Sequence, residues 1–214
     1  MWFWLVFVVV FIPFSIFYPV KVYGKKNFDK SKKYILVCNH QSAFDPIILD
    51  IKLKNKIRFV AKKELWKNKK KSFLFDSVLG CIPVDRQKGL TIDTTKKIIN
   101  ILKDGQTIGI FPEGTRHNSG ISEDMSVKNG AVMFALKTKT PILPCYIEKK
   151  QKAFSKNTLI IGKPFELCNF YDQKITKDVL NDCSEVVIKN LNDIKQSYEK
   201  MLEEKKIVKQ LKNK

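Results

Sequence analysis

The sequence has few of the side chains that build metal centres and disulfide frameworks. It holds 2 histidines and 5 cysteines in 214 residues, and no two cysteines form a Cys-x-x-Cys pair. Zinc sites need several closely spaced His and Cys ligands, so this composition predicts no metal site. The scattered, odd-numbered cysteines instead indicate small apolar residues in a reducing compartment.

Acidic residues are also scarce relative to basic ones. Lys and Arg number 40 against 21 Asp and Glu, which gives a formal net charge of +19. A chain this basic is attracted to polyanions, and composition leaves nucleic acid, anionic lipid and an acidic carrier as alternatives. Hydrophobic residues make up 44% and charged residues 29%, which excludes a disordered chain. The length allows one domain with a full core.

Residues 1–20 lack charged side chains altogether and are rich in Phe, Trp, Val and Ile. As a helix this segment would be about 30 Å long, which matches the hydrocarbon core of a bilayer. It has neither the basic start nor the cleavage site of a signal peptide, and it is apolar on every face. We therefore predict a membrane anchor over 1–20. It either spans the bilayer or, because Pro13 would kink it, lies in one leaflet.

A cluster of lysines follows the predicted anchor directly. Its members are Lys21, Lys25, Lys26, Lys30, Lys32 and Lys33. Because positive charge next to a membrane segment stays on the cytoplasmic side, we expect the rest of the chain on the cytoplasmic face of the cell membrane. The same lysines can contact anionic headgroups.

Beyond the anchor, short apolar runs alternate with helical patterns. Strands are predicted at 34–38, 57–61, 107–111, 142–147 and 158–161, and helices at 46–53, 91–103, 127–139 and 176–206. This alternation is typical of an α/β fold, and we expect a central mixed sheet surrounded by helices. A catalytic domain is predicted over 21–206, followed by a basic C-terminal tail over 207–214.

A histidine and an aspartate stand close together after the first predicted strand, in Asn39-His40-Gln41-Ser42-Ala43-Phe44-Asp45. In a turn from strand to helix, the Asp45 side chain can fold back to the imidazole and fix its tautomer, which makes His40 a candidate general base. Alternatively, Asp45 only caps the helix that begins at Pro46, and His40 is a surface residue. Ser42 lacks a Gly-x-Ser-x-Gly setting, which disfavours it as a nucleophile.

Two further motifs place arginine after a predicted strand. One is Phe111-Pro112-Glu113-Gly114-Thr115-Arg116, where the glycine permits a tight turn and the guanidinium suits a phosphate. The other is Gly80-Cys81-Ile82-Pro83-Val84-Asp85-Arg86, whose arginine is a second candidate phosphate ligand. Either motif could also be structural, with Glu113 and Arg116 forming an ordinary surface pair.

Together these motifs resemble those of the lysophospholipid acyltransferase family. The family's Asn-His-x4-Asp motif stands as Asn39, His40 and Asp45, and its Phe-Pro-Glu-Gly-Thr-Arg motif is complete. Its Gly to Asp-Arg strand stands at 80–86, and its Pro-Ile/Val-x-Pro motif at 141–144. The order and spacing agree over about residues 20–165.

The resemblance implies transfer of a fatty acyl group from acyl-CoA or acyl-carrier protein to the free hydroxyl of lysophosphatidic acid, giving phosphatidic acid. It implies that His40 deprotonates this hydroxyl, that Asp45 supports His40, and that no covalent intermediate or cofactor is needed. The residues implied in substrate binding are Arg86, Glu113, Gly114, Thr115 and Arg116. Further candidates for substrate binding are Asn39, Lys62 and Lys128.

Two alternatives to this function remain open from the sequence. The same chemistry could act on another lysophospholipid or on glycerol 3-phosphate, particularly since His117 and Val127 stand where relatives often have Ser and Phe. The chain could also be a non-catalytic basic membrane protein. A nucleic-acid partner is not expected, because most aromatic residues lie in the anchor or in apolar runs rather than in a basic face.

Overall fold

A computed structural model describes residues 12–66, 68, 72–73, 75–76, 79–85, 90–112 and 125–212. The strands are β1 (Val20–Tyr23), β2 (Ile35–Cys38), β3 (Arg58–Lys62), β4 (Ile82–Val84), β5 (Ile108–Ile110), β6 (Ile142–Ile147) and β7 (Asn157–Ile161). The helices are α1 (Ile12–Phe17), α2 (Asp45–Leu53), α3 (Ile92–Lys103), α4 (Met125–Thr138) and α5 (Lys177–Lys212). Each strand and helix predicted from periodicity is present, with ends shifted by one or two residues in most cases.

The strands form one sheet in the order β1-β7-β6-β2-β5-β3-β4. Strands β6, β2, β5, β3 and β4 run parallel to one another, β7 is antiparallel to β6, and β1 is parallel to β7. The predicted mixed sheet is therefore confirmed. Because five strands share one direction, their carboxyl ends meet at a single edge of the sheet, where α/β proteins place their functional groups.

Helices cover both faces of the sheet. In β2, Ile35 and Val37 pack into the core beneath α3, α4 and α5, whereas Leu36 and Cys38 pack into the core beneath α1 and α2. All four residues are fully buried. A short run that is apolar at every position is the pattern of a strand covered on both faces, so the sequence of β2 fits its central place.

The N-terminal region differs in part from the prediction. Residues 1–11 of the predicted anchor lie outside the described residues, and Ile12–Phe17 form the short helix α1. Val20, predicted to end the anchor, is the first residue of β1, which pairs with β7 at the edge of the sheet. Among the described residues, no helix combines the length and the hydropathy required to cross a bilayer.

The last helix is longer than predicted. Its buried stripe includes Cys183, Val187, Leu191 and Tyr198, at successive spacings of four, four and seven residues, as the periodicity indicated. The predicted end at Lys206 is wrong, because α5 continues to Lys212. Lysine is a good helix former, so the Lys-rich sequence after 204 can extend an established helix although it contacts little of the body.

A carboxyl group lies in the core beside the sheet. Asp50 of α2 is fully buried and accepts a hydrogen bond from the Ile57 main-chain nitrogen at 3.0 Å. No described residue donates to its second oxygen, Oδ2. Burial raises the pKa of Asp50 well above its ordinary value, against the smaller opposing effects of the Ile57 hydrogen bond and the Lys56 charge. Burial favours the protonated, neutral carboxyl.

We expect Asp50→Asn to stabilise the protein at neutral pH. Because the folded-state pKa is raised, the folded protein binds a proton that the unfolded chain releases, so stability falls as pH rises above the ordinary Asp pKa. Asparagine keeps an acceptor for Ile57 and does not ionise. Urea unfolding at several pH values should show a gain that shrinks as pH falls towards about 4. The exposed Asp172→Asn is the control, and a loss of stability in Asp50→Asn at neutral pH would contradict this account.

Candidate active site

The loop after β2 begins with a side chain that joins two strands. The Asn39 amide nitrogen donates to the Ile147 carbonyl oxygen at 2.9 Å, and its amide oxygen accepts from the Ile147 nitrogen at 2.7 Å. Asn39 is buried, and this pair of bonds continues the β2–β6 ladder where the strands themselves end. Asn39, a candidate for substrate binding, is thus bound to the neighbouring strand, and it fixes the residue that follows it.

That residue, His40, contacts Asp45 as predicted for a strand-loop-helix turn. His40 Nδ1 lies 2.9 Å from Asp45 Oδ2. The His40 side chain is 16% exposed, and the Asp45 side chain is fully buried. When Nδ1 donates its hydrogen to the carboxylate, Nε2 carries the lone pair that can accept a proton. The contact therefore gives the imidazole the tautomer that a general base requires.

Asp45 does more than contact the imidazole. Its Oδ2 also accepts hydrogen bonds from the Gln41 and Ser42 main-chain nitrogens, both at 2.7 Å. The expectation that Asp45 caps α2 from outside is wrong: Phe44 is the capping residue, without a side-chain cap bond, and Asp45 is the first residue of the helix. From this position the carboxylate closes the loop onto itself, and its charge lies favourably at the helix N-terminus.

Ring stacking supports the other side of the imidazole. The His40 and Phe111 rings stack with centroids 4.3 Å apart, and Phe111 in turn stacks on Phe59 at 5.5 Å. Phe59 lies over Gly109 of β5, where an added Cβ would collide with the phenyl ring. The glycine therefore permits a row of three rings from β3 through the end of β5 to His40. Phe111 is the first residue of the second predicted motif, so the structure brings that motif to the histidine.

Of the remaining predicted residues, the structure describes Lys62 and Lys128. Lys62 is exposed at the end of β3, in register with Val84 of β4, so the chain enters the Asp85-Arg86 segment at this edge. Arg86 and residues 113–116 (Glu113, Gly114, Thr115, Arg116) lie outside the described residues, as does His117. Lys128 belongs to α4. The structure thus shows where these motifs begin, and the roles of their side chains stay predictions.

Sequence reasoning missed two aromatic contributions to the site. Phe59 was read only as part of a buried strand, although its ring supports Phe111. Phe44, inside the His40 loop, contacts Phe14 of α1 with ring centroids 5.4 Å apart and Tyr18 at 5.2 Å. The loop is therefore packed against the described part of the predicted anchor. An aromatic between His40 and Asp45 was the available signal, but its partner could not be deduced from spacing.

Known proteins are similar to this chain over more than half of its length. A family model described as Acyltransferase matches residues 19–148. The chain is 37% identical over 158 residues to the 1-acyl-sn-glycerol-3-phosphate acyltransferase of Bacillus subtilis, covering 71% of this chain and 76% of that protein. It is 32% identical over 139 residues to the protein of the same name from Borreliella burgdorferi, covering 64% of this chain and 54% of that protein.

A solved structure is similar as well. The crystal structure of the 1-acyl-sn-glycerophosphate acyltransferase PlsC from Thermotoga maritima aligns with a TM-score of 0.58 and 26% sequence identity. The alignment covers 84% of this chain and 73% of that chain. The chain spans about three quarters of the Bacillus protein and of the Thermotoga structure, but about half of the Borreliella protein.

We expect Asn39→Ala to lower the free energy of unfolding by about 1–3 kcal/mol, because both main-chain groups of Ile147 lose their partner in a buried setting. Urea denaturation measures this loss. The exposed Asn169→Ala serves as the matched control and should change stability by no more than about 0.5 kcal/mol. Equal stability of the two variants would show that the Asn39 amide does not hold the strand ends together.

Proposed function

The chain belongs to the acyltransferase family, and we propose that it transfers a fatty acyl group from a thioester to the sn-2 hydroxyl of 1-acyl-sn-glycerol 3-phosphate, giving phosphatidic acid. The family match and the relatives confirm that the chain is an acyltransferase, as its motifs predicted. The observation that carries the proposal is the 2.9 Å contact between His40 Nδ1 and Asp45 Oδ2, at the carboxyl end of the central strand.

The proposed reaction is a direct transfer with His40 as general base. Nε2 takes the proton from the acceptor hydroxyl as its oxygen attacks the thioester carbonyl carbon. The tetrahedral intermediate then collapses, the carbon–sulfur bond breaks, and the thiolate takes a proton from the imidazolium. General-base help of this kind accelerates reactions by about 10²–10⁴-fold.

Asp45 acts on this reaction as a positioning residue. Its carboxylate holds the Nδ1 hydrogen and stabilises the imidazolium that forms when Nε2 accepts the proton. The two main-chain bonds from Gln41 and Ser42 fix the carboxylate, so the imidazole is oriented before substrate binds. Stacking on Phe111 fixes the ring plane from the opposite side.

The acceptor phosphate is assigned to basic residues of the three motifs. We propose Arg116 and Arg86 as its ligands, because a guanidinium binds phosphate through two parallel hydrogen bonds. Glu113, Gly114 and Thr115 would shape the same pocket. Lys62 and Lys128 are further candidates for phosphate contact. Phe111 and Pro112, which lead into residues 113–116, are both buried, and Phe111 stacks on His40; this placement supports the assignment.

The acyl donor is proposed to be acyl-CoA or acyl-carrier protein. Both present a thioester on an anionic carrier, and the formal net charge of +19 would attract either one. The Lys-rich sequence of residues 52–71 is the proposed contact region. Donor preference can be measured directly by comparing the two thioesters at equal concentration.

The membrane is the proposed location, with residues 1–20 as the anchor and the sheet on the cytoplasmic face. The described part of this segment packs on the His40 loop through Phe14 and Phe44. That contact supports a site adjacent to the anchor, where a lysolipid could reach His40 without its acyl chain crossing water.

We expect His40→Ala to lower kcat by about 10²–10⁴-fold, because the acceptor hydroxyl loses its base. The measurement is transfer from palmitoyl-CoA to lysophosphatidic acid in detergent, with other lysolipids and glycerol 3-phosphate as competing acceptors. Ser42→Ala is the control, since among the described residues the Ser42 hydroxyl only accepts a hydrogen bond from the Phe44 nitrogen within its own loop. Full activity of His40→Ala would contradict the mechanism. If Ser42→Ala lost acyl transfer while His40→Ala kept it, the result would indicate a serine nucleophile.

We expect Asp45→Asn to lower kcat by about 10²–10⁴-fold with little change in KM, because a neutral amide no longer stabilises the imidazolium that forms when His40 Nε2 accepts the proton. With its amide oxygen in the place of Oδ2, asparagine still accepts from the Gln41 and Ser42 nitrogens and from His40 Nδ1, so the loop should keep its fold. Steady-state kinetics and thermal unfolding together measure both properties. An unchanged kcat would mean that Asp45 only closes the loop.

A further inference from the structure

We propose that the loop of residues 148–156, which joins β6 to β7, inserts Phe154 into the headgroup region of an anionic lipid bilayer. Phe154 itself lies outside the predicted anchor at residues 1–20. The contact goes beyond the proposed acyl transfer because it concerns how the folded domain is oriented on the membrane, whatever the acceptor.

Phe154 is held outside the core by its backbone. The side chain is 74% exposed, and the residue has φ +57°, in the left-handed region. A bulky side chain is rarely found in this conformation, which is disfavoured for residues with a Cβ. A large aromatic that is exposed at the cost of backbone strain points to a role in contact with another surface.

A buried polar network makes this loop a fixed structure. The Gln151 amide nitrogen lies 3.2 Å from the carbonyl oxygens of Lys152 and Ser155, and its oxygen accepts from the Asn157 amide at 2.9 Å. The Asn157 amide also donates to the Lys149 carbonyl at 2.7 Å. Both amide side chains are buried. The loop therefore presents Phe154 in one position and loses little conformational entropy when the ring is buried.

Phe154 continues an apolar surface that begins in α1. Its main-chain nitrogen donates to the Phe17 carbonyl oxygen at 2.7 Å, and the two rings meet edge to face with centroids 5.4 Å apart. Ile16 and Phe17 are themselves exposed. We name these three residues, Ile16, Phe17 and Phe154, the apolar patch. It joins the β6–β7 loop to the described part of the predicted anchor.

The positive charge around the apolar patch favours an anionic bilayer as the surface that it contacts. Lys149, Lys150, Lys152 and Lys156 are all exposed in the loop, and no acidic residue occurs from 149 to 165. Aromatic rings favour the interface between headgroups and acyl chains, and lysines beside them are attracted to anionic headgroups. An exposed phenyl ring surrounded by lysines is thus suited to a lipid surface of opposite charge.

The position of the loop relates this contact to the site. The loop starts immediately after Ile147, whose main chain is bound by Asn39, the neighbour of His40. On the other side of the patch, Phe14 of α1 contacts Phe44 within the His40 loop. A bilayer that binds the apolar patch therefore lies next to the edge of the sheet that carries His40.

Bromine quenching tests the insertion directly. Two variants of the full chain are made, each with Trp2, Trp4 and Trp66 changed to Phe. The first has its single tryptophan at 154 (Phe154→Trp), and the control has it at 207 (Ile207→Trp). Ile207 is 56% exposed on the distal part of α5. Vesicles contain phosphatidylglycerol and phosphatidylcholine brominated on its acyl chains. We expect strong quenching at position 154 and little at 207; a vesicle-bound protein without quenching at 154 would overturn the proposal.

Vesicle flotation measures the contribution of the contact. We expect Phe154→Glu to weaken binding to mixed phosphatidylglycerol–phosphatidylcholine vesicles by about tenfold, whereas Ile207→Glu binds as the unmodified chain does. Binding to pure phosphatidylcholine should be weaker for every variant. Equal vesicle binding of the two Glu variants would overturn the proposal. It would also be overturned if the unmodified chain did not bind vesicles and instead formed a dimer that Phe154→Glu dissociates. Neither readout involves acyl transfer, so failure of the proposed function is detected separately.

Discussion

The complete burial of β2 is the constraint on which the rest of the structure depends. The strand is covered by helices on both faces and paired with β5 and β6 on both edges, so its main chain has no freedom to shift. Asn39 extends this pairing by one residue beyond the ladder through both main-chain groups of Ile147. His40 therefore leaves the sheet from a fixed point, and the Asp45 carboxylate needs only to close a short loop onto it. The precision of the site comes from the strand rather than from the loop.

Much of this arrangement could be predicted from the sequence, because its signals are local. Apolar runs of four to six residues identified the central strands, and the strand-loop-helix interval allowed the contact between Asp45 and His40. The edge strand β1 was missed because Val20-Lys21-Val22-Tyr23 follows an apolar segment without a break, so its first residue was assigned to the anchor. Its partner, β7, lies more than a hundred residues away, and no local pattern encodes that pairing.

The errors at the site have a different origin. A carboxylate at a helix start can cap the helix or fold back into the preceding loop, and the same sequence is compatible with both. The structure resolves the choice through the Gln41 and Ser42 nitrogens, which point at Oδ2. The stacking of Phe59 and Phe111 beside His40 was missed for a similar reason. The sequence of a buried strand does not show whether a phenylalanine only fills the core or also supports the ring that stacks on an imidazole. Only three-dimensional neighbours distinguish these uses.

The row of rings from Phe59 to His40 has an evolutionary consequence. Gly109 and Phe59 share one space, because the phenyl ring occupies the volume that a Cβ at 109 would need. A larger residue at 109 requires a smaller one at 59, and either change alters what supports Phe111. Sequence drift in the core is thus coupled to the catalytic edge: these two positions should covary among homologues.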